Sequence, residues 1–431
     1  MMSDLFAARS QMALSLGFHI IFAEIGIALP LMMVLAEARW RRTGDPTYLE
    51  LAKRWSKGAA ILFAVGAVSG TVLSFELGLL WPRFMAFSGP IIGIPFSLEG
   101  FAFFTEAIFL GVYLYGWDRI SPGAHLGAGL VVAASGAASA VFVIMVNAWM
   151  NTPAGLTSVA GQITEIDPVA GMFNPSSFQQ ALHMLLAAYA ATGLAVAGIH
   201  AAVLLKRPGV TFHRHALVVA LSVGAPAAVL QPISGDVSAR AVARWQPVKL
   251  AALEGQFETV RGAPLRIGGW PDEAAGRTRF AIEIPRGLSL LAFHDLHAEV
   301  VGLAAVPREL WPPVRPVHFA FQIMVGLGTT MALVAAWAGF VVIRKRSLFD
   351  ERRLLIALAV VAPFGFIATE SGWMVTEVGR QPWVVQGLIR TADAVTPMPG
   401  LVVPMTLFAL LYLMLGAIVV VLIARMVRET T

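Results

Sequence analysis

Several side chains that hydrocarbon tolerates only for a reason sit in or at the ends of long apolar runs: His19, Glu24, Glu76, Glu99, Glu106, His183, Met324 and, in the stretch TEVGRQPW, Glu377 with Arg380. A polar group inside a membrane is costly, so each marks a partner, a ligand or a proton path. Histidine, methionine and an occasional carboxylate, used together in apolar surroundings, are the donor set of axial iron ligation. One His and one Met from two segments suit a six-coordinate electron-transfer haem. Glu99 and Glu106 stand seven apart, about two helical turns, and so share a helix face. Such a pair suits a proton relay, or else two acids satisfied by neighbouring helices. Taken singly the residues also have bland readings: a lone His is an ordinary hydrogen-bonded core residue, a lone Met fills a gap, and Arg380 with Trp383 caps a helix at a membrane interface.

The elements that must hold these groups follow from composition and hydropathy. The chain has 431 residues, 57% hydrophobic and 13% charged, against about 25% charged in a soluble domain. One large soluble enzyme with an apolar core is excluded, because apolar runs of about twenty residues recur along nearly the whole length. Nine spans are expected, at 12–38, 58–82, 95–116, 125–149, 178–205, 216–233, 317–343, 354–375 and 402–426, each long enough to cross about 30 Å of hydrocarbon as a helix. No internal repeat is visible. Cysteine is absent, which excludes disulfides, Cys-ligated iron–sulfur clusters and c-type haem attachment. The first apolar run is too long for a cleavable signal peptide and lacks a small-residue cleavage site.

The net charge of +5 comes mostly from short loops, so it reads as topology and not as a nucleic-acid surface. Arg39, Arg41, Arg42, Lys53, Arg54 and Lys57 follow the first span, Lys206, Arg207 and Arg214 the fifth, and Arg344, Lys345, Arg346, Arg352 and Arg353 the seventh. The alternate loops are poor in Lys and Arg. The N-terminus is therefore expected outside and the C-terminus in the cytoplasm, with the long segment 234–316 on the outer side. The fold class is an all-α polytopic membrane protein of nine transmembrane helices, a single membrane domain over 1–431. On this topology His19, Glu76, Glu99, Glu106, His183, Met324 and Glu377 all fall toward the outer face, a convergence that scattered structural polar residues would not show.

With these positions marked, the chain resembles subunit I of the cytochrome bd-type quinol oxidases. The resemblance is carried by GFH at 17–19, SLEGFAFFTEAIFLGVYLYGWDR at 97–119, NAWMNTP at 147–153, QPVKLAALEGQFET at 246–259, FQIMVGLG at 321–328 and GWMVTEVGRQPW at 372–383. The short outer loop and SFELGLLWPRFM are most similar to the cyanide-insensitive branch. The resemblance implies a multi-pass protein of the bacterial plasma (inner) membrane that oxidises ubiquinol or menaquinol at the outer face. Oxygen is reduced to water with cytoplasmic protons, which contributes to the proton-motive force.

Three haems are implied: low-spin b, high-spin b, and a high-spin d or further b. His183 and Met324 match the axial ligands of the low-spin haem, while His19 and Glu377 match positions serving the two high-spin haems. Glu99 matches an acid at the high-spin pair, and Glu106 a second acid whose spacing there is one residue longer. Lys249 and Glu254 match quinol-site residues of the outer loop (the Q-loop), and Asp236 an acid at its start. As ligand to ferric iron Glu377 would stay anionic, and Arg380 is suited to a haem propionate. The implied partners are a second membrane subunit and a small single-span accessory subunit; no nucleic acid is expected.

Two departures stand out. Gln322 occupies a place where many relatives have Arg, and losing that charge is expected to lower a nearby haem potential. Glu24 has no counterpart; its one foreseeable partner is His19. Within QPVKLAALE a helical apolar stripe is expected, with Lys249 and Glu254 about 140° apart and so in need of separate partners. Glu254 suits the base that takes a phenolic proton and Lys249 the donor that orients the other oxygen. An ion-coupled transporter with buried carboxylates is the rival from another class, although transporter sites lie at the midplane. A haem–copper oxidase needs more His than nine with four in loops (His125, His213, His215, His294) can give.

Overall fold

The computed structural model of the chain describes residues 3–159 and 162–428. Hydrocarbon offers the backbone no hydrogen bonds, so each apolar run closes its own N–H and C=O groups as a helix. In chain order these are α1 (Asp4–Thr43), α2 (Pro46–Leu80), α3 (Pro82–Tyr115), α4 (Pro122–Asn151), the short α5 (Pro168–Met172), α6 (Ser177–Lys206), α7 (Thr211–Trp245), α8 (Pro247–Glu254), α9 (Gly287–Phe293), α10 (Val314–Ile343), α11 (Arg352–Val361), α12 (Phe364–Glu377), α13 (Thr391–Ala394) and α14 (Val402–Arg428). Among the described residues nine helical stretches are long and apolar enough to cross a membrane, α11 and α12 forming one of them. Short two-stranded ladders decorate the connections, including Leu265–Ile267 with Ile282–Ile284 and Trp270–Asp272 with Arg277–Arg279.

Local signals set the helix ends. Ser3 caps α1 by accepting from the Phe6 amide, and Gly44 ends it in the left-handed region at φ 73°. Asp45 caps α2 through the Thr47 amide at 2.9 Å, with Pro46 in the first turn. The helices outrun the apolar runs that announce them. α3 begins at Pro82, and α7 continues through Pro226 and Pro232 to Trp245, because a membrane helix tolerates proline when neighbours re-satisfy the freed carbonyls. Pro363 lies between α11 and α12, dividing the eighth span. His125, His213 and His215, expected in loops, are helical and lie in α4 and α7.

Small residues let the helices approach closely. A Cβ on Gly193 of α6 would stand 2.5 Å from the Gly224 Cα of α7, and Gly365 brings α12 equally tight onto α6 at Ala191. Because successive spans alternate in direction, the start of α1 shares one face with the ends of α2, α4, α7 and α12 and the starts of α3, α6 and α10. That is called the site face here; α8 packs there against α7 and α10. The other end is filled by a dry core of Met32, Met33, Leu194, Leu204, Leu217 and Leu358.

Candidate functional site

Two histidines face the interior with their tautomers fixed from behind. His19 Nδ1 lies 3.0 Å from Ser69 Oγ on α2, and that hydroxyl gives its own proton to the Val65 carbonyl at 3.0 Å. The imidazole must therefore donate through Nδ1, which leaves Nε2 as a bare lone pair. His183 repeats the device on α6: its Nδ1 is 2.9 Å from Ser234 Oγ on α7, which donates to the Gln231 carbonyl at 2.9 Å. A hydrogen bond behind the ring is what orients a metal-binding His. The Gln231 amide nitrogen lies 3.2 Å from His183 Nε2, so this side chain must swing aside before that nitrogen can ligate.

Glycines stand where these donors need room. A Cβ at Gly70 would come within 3.0 Å of His19 Cε1, and one at Gly372 on α12 within 3.1 Å of Met324 Sδ. α6 and α10, which carry His183 and Met324, both pack on α7 and α12.

Glu377 ends α12 and is gripped from both sides. Its Oε1 accepts from Asn147 Nδ2 of α4 in a very short bond, and its Oε2 from Arg380 Nη2 at 2.5 Å. Behind Asn147 the bonds continue in one direction. Asn151 Nδ2 donates to Asn147 Oδ1 at 3.1 Å, and Lys249 Nζ donates to Asn151 Oδ1 at 2.7 Å. Gln246 holds the same amide oxygen at 3.1 Å. A continuous donor chain thus runs from Lys249 on α8 through Asn151 and Asn147 to Glu377. Arg380 is 2% exposed, yet its Nε and Nη1 have no partner among the described residues.

α8 forms as expected over Pro247–Glu254, but it is no surface helix: Lys249 is 6% and Glu254 2% exposed. It lies outside the membrane-spanning helices. The two charges do have separate surroundings. Burial, with Arg380 pushing the same way and Glu377 opposing, pulls the Lys249 ammonium down to about 7. Burial pushes the Glu254 carboxyl up to about 7 against the pull of Arg266, and its Oε2 lacks a partner among the described residues. The start of α10 clamps this region. His318 Nδ1 is 2.7 Å from the Leu253 carbonyl, and Gln322 accepts from the Gly268 amide at 3.0 Å while donating to the Arg266 carbonyl at 3.1 Å.

Glu99 and Glu106 both turn toward α4. Ser139 Oγ lies 3.5 Å from Glu99, and a Cβ on Gly136 would sit 3.3 Å from the Glu106 carboxyl. Glu76 ties α2 to α1, accepting from Gln11 and Ser15 at 2.9 Å each. Asp236 belongs to α7, not to the loop after it, and pairs with Arg240 at 2.8 Å. The partnership expected between Glu24 and His19 does not form: His19 bonds Ser69, and neither oxygen of Glu24 is bonded among the described residues. Five residues apart on one helix, the two point in different directions.

Asn147, Asn151, Ser69, Ser234 and Glu370 went unassigned at the sequence level. For the asparagines a signal was there: in NAWMNTP they are four apart and so share a face. For the serines there was none, since membrane helices contain many.

The donor set fits a haem better than a bare ion. Among the described residues no three His, Cys, Asp or Glu side chains gather to hold a metal. What is present are single donors, the two histidines braced from behind, and a haem needs no more because the macrocycle supplies the equatorial nitrogens. The unpartnered nitrogens of buried Arg380 suit a propionate.

Comparison with known proteins agrees. A sequence model of the family described as cytochrome bd terminal oxidase subunit I matches residues 7–431. The chain is 40% identical to a Bacillus subtilis (strain 168) protein provisionally described as cytochrome bd menaquinol oxidase subunit I, over 99% of this chain and 97% of that one. It is 32% identical to cytochrome bd ubiquinol oxidase subunit 1 of the same organism, over 99% and 94%. Its fold is similar to the solved bd oxidase of Geobacillus thermodenitrificans, with a TM-score of 0.92, 38% identity and coverage of 100% of this chain and 99% of that one. The chain belongs to the cytochrome bd terminal oxidase subunit I family: haem-bearing, multi-pass membrane subunits that work with a subunit II as quinol oxidases reducing oxygen.

Proposed function

We propose that this chain binds quinol against α8, with Glu254 as the base and Lys249 as the donor, and passes its electrons to three haems. The low-spin b haem is held by His183 and Met324. His19 and Glu377 each serve one of two high-spin haems, b and either d or a second b, with Arg380 on a propionate and Glu99 and Glu106 beside them. When bound, haem supplies one-electron transfer and the iron at which oxygen is reduced. The observation that carries this reading is the donor chain Lys249–Asn151–Asn147–Glu377, which joins the quinol residues to a haem-ligand position through three hydrogen bonds. In this reading the site face is the outer face, the N-terminus lies outside, and the C-terminus is cytoplasmic. The substrate is ubiquinol or menaquinol, and a small single-span subunit completes the assembly.

The residues perform the quinol step as follows. Quinol oxidation needs a base for one phenolic proton and a donor to hold the other oxygen. Near neutral pH buried Glu254 is half ionised and so able to take that proton, while Lys249 is still able to give a hydrogen bond. Water is kept out by the packing of Ala251, Ala252, Leu253, Phe257, Val314 and Val317. Asn151 fixes the Lys249 ammonium from behind, so the donor is aimed before quinol arrives.

The test compares quinol oxidase activity with oxidation of an artificial donor that reaches the haems directly, in Lys249→Ala and Glu254→Ala. Quinol turnover is expected to fall at least tenfold, about 1.4 kcal/mol of transition-state stabilisation, with haem content and artificial-donor activity retained. Loss of neither activity would move the quinol site elsewhere.

A further inference from the structure

Glu24, halfway along α1, is 0% exposed, and neither of its carboxylate oxygens has a hydrogen bond among the described residues. On the neighbouring α12 stands Glu370, whose Oε1 is likewise unpartnered among the described residues. Its Oε2 would lie 3.2 Å from a Cβ on Gly17, so the side chain leans against α1 two turns before Glu24. Thr369 faces Glu24, and Thr192 of α6 holds the Glu24 backbone carbonyl at 3.2 Å, which places the pair where α1, α6 and α12 meet. No cation pairs with these acids among the described residues. The charged group that bears on Glu24 is Glu370, a like charge. Ionisable groups on the other elements around α1 are engaged elsewhere: Glu76 with Gln11 and Ser15, His125 with Glu37, His183 with Ser234, and His200 with His213.

Two carboxyls buried along one helix interface disfavour double ionisation, and merely structural acids would close their oxygens on donors. Three of the four carboxyl oxygens here have no such donor among the described residues. What remains is a place where protons are held and released. Position says for what: the pair lies on the helices that carry His19 and Glu377, and two residues after Glu370 comes Gly372, against the Met324 sulfur. We infer that Glu24 and Glu370 form a proton-holding pair loaded in step with reduction of the redox centre, separate from Glu99 and Glu106 and acting as an internal proton donor for oxygen reduction. This rests on the redox reading given above. As an electron from quinol enters the centre, one carboxylate oxygen of the pair takes a proton from the aqueous phase and an O–H bond forms. As oxygen is reduced that O–H bond breaks, the proton leaves in product water, and the carboxylate is restored.

The experiment is redox-difference infrared spectroscopy of the intact two-subunit oxidase in H₂O and D₂O, with proton uptake on full reduction measured in parallel. Wild type should show the carbonyl band of a protonated carboxylic acid, shifted by deuterium. Glu24→Gln and Glu370→Gln should each remove or displace that band and lower proton uptake while the visible haem spectrum stays intact. Either variant decides alone if the other loses haem, because removing one carboxyl breaks the pair. Unchanged infrared spectra and uptake in a haem-loaded variant would overturn the inference. A wild-type protein without haem bands would instead overturn the redox reading on which it stands.

Discussion

Buried polar groups are handled differently at the two ends of the bundle. At the end away from the site, Glu37 accepts from Arg41 Nε at 2.8 Å and from His125 Nδ1 at 3.0 Å, and His125 Nε2 meets the Tyr113 carbonyl at 2.9 Å. The His125 ring lies 4.4 Å from Tyr113 and 4.1 Å from Trp117, centroid to centroid. His200 and His213 share one hydrogen bond of 2.8 Å. Among the described residues the Tyr113 hydroxyl and His215 Nδ1 are left over there, the latter 3.5 Å from Asp45. At the site face several polar groups are braced from one side and open on the other: among the described residues Arg380 keeps two unpartnered nitrogens, Glu254 one oxygen and Trp373 its indole nitrogen. A polar group that only holds a fold is satisfied by the fold, whereas one that binds something is left a free valence. Histidine in a span therefore says little; histidine with one nitrogen held from behind by a hydroxyl says a good deal.

The largest effect that would break this contrast is loss of an open donor. His183→Ala or Met324→Leu should abolish the low-spin signal in reduced-minus-oxidised spectra and leave the high-spin bands largely present. A low-spin band that survives in both variants would remove these residues from the ligand set.

The closed end should respond in the opposite way. Glu37→Ala leaves Arg41 and His125 without their shared anion, and breaking one partner of a buried pair costs about 3–5 kcal/mol. Thermal unfolding of the purified protein should shift well downward while the haem spectrum and turnover of the surviving fraction match wild type. A variant of normal stability and poor turnover would make the closed network functional and dissolve the distinction.

How much of this contrast could be read from the sequence follows from what each part depends on. The spans were legible because hydrocarbon thickness imposes length and apolarity directly; His19, His183 and Glu377 stood out as candidates because ionisable groups are rare in that setting, whereas Met324, one of 17 methionines, is marked only by the resemblance of FQIMVGLG. Helix ends at Pro82 and Trp245 were not, since hydropathy reports the lipid-contacting part and not the helix that continues past it. Nor was the place of Gln322, whose bonds reach more than fifty residues back to Gly268 and Arg266. Glu370 is a lone charge inside an apolar run, a signal the sequence carries as plainly as that of Glu377 at the end of the same run.

A smaller effect is expected from pH, and it separates the two charges of α8. Glu254, pushed up to about 7, serves as a base only when deprotonated, so quinol oxidation should rise as pH increases through that value. Lys249, pulled down to about 7, donates as an ammonium only below that value, so the rate should fall again at higher pH. The product is a narrow maximum near neutrality in kcat/KM for quinol. Glu254→Gln should erase the rising limb and leave the falling one. A profile of unchanged shape in that variant would assign the acid limb to another group.

The smallest effect expected is that of Gln322→Arg, and its size tests where the haem lies relative to the Q-loop. Residues two apart on a helix point about 200° away from each other, so Gln322 faces the strands at Gly268 and Arg266 while Met324 faces Gly372. A guanidinium there still has the Arg266 carbonyl to bond, but it cannot accept from the Gly268 amide as Gln322 does. A fixed positive charge favours the form of a redox centre that carries the extra electron, and the attraction weakens with distance. The low-spin midpoint potential should therefore move upward, by less than a haem-facing arginine would cause. Quinol turnover should fall less than in Lys249→Ala, since only one bond of the clamp is lost. Redox titration of the low-spin band measures the first and steady-state assay the second. A large upward shift would mean that the low-spin haem lies on the Q-loop side of α10, and the assignment of Met324 would then have to be reconsidered together with that of Gln322.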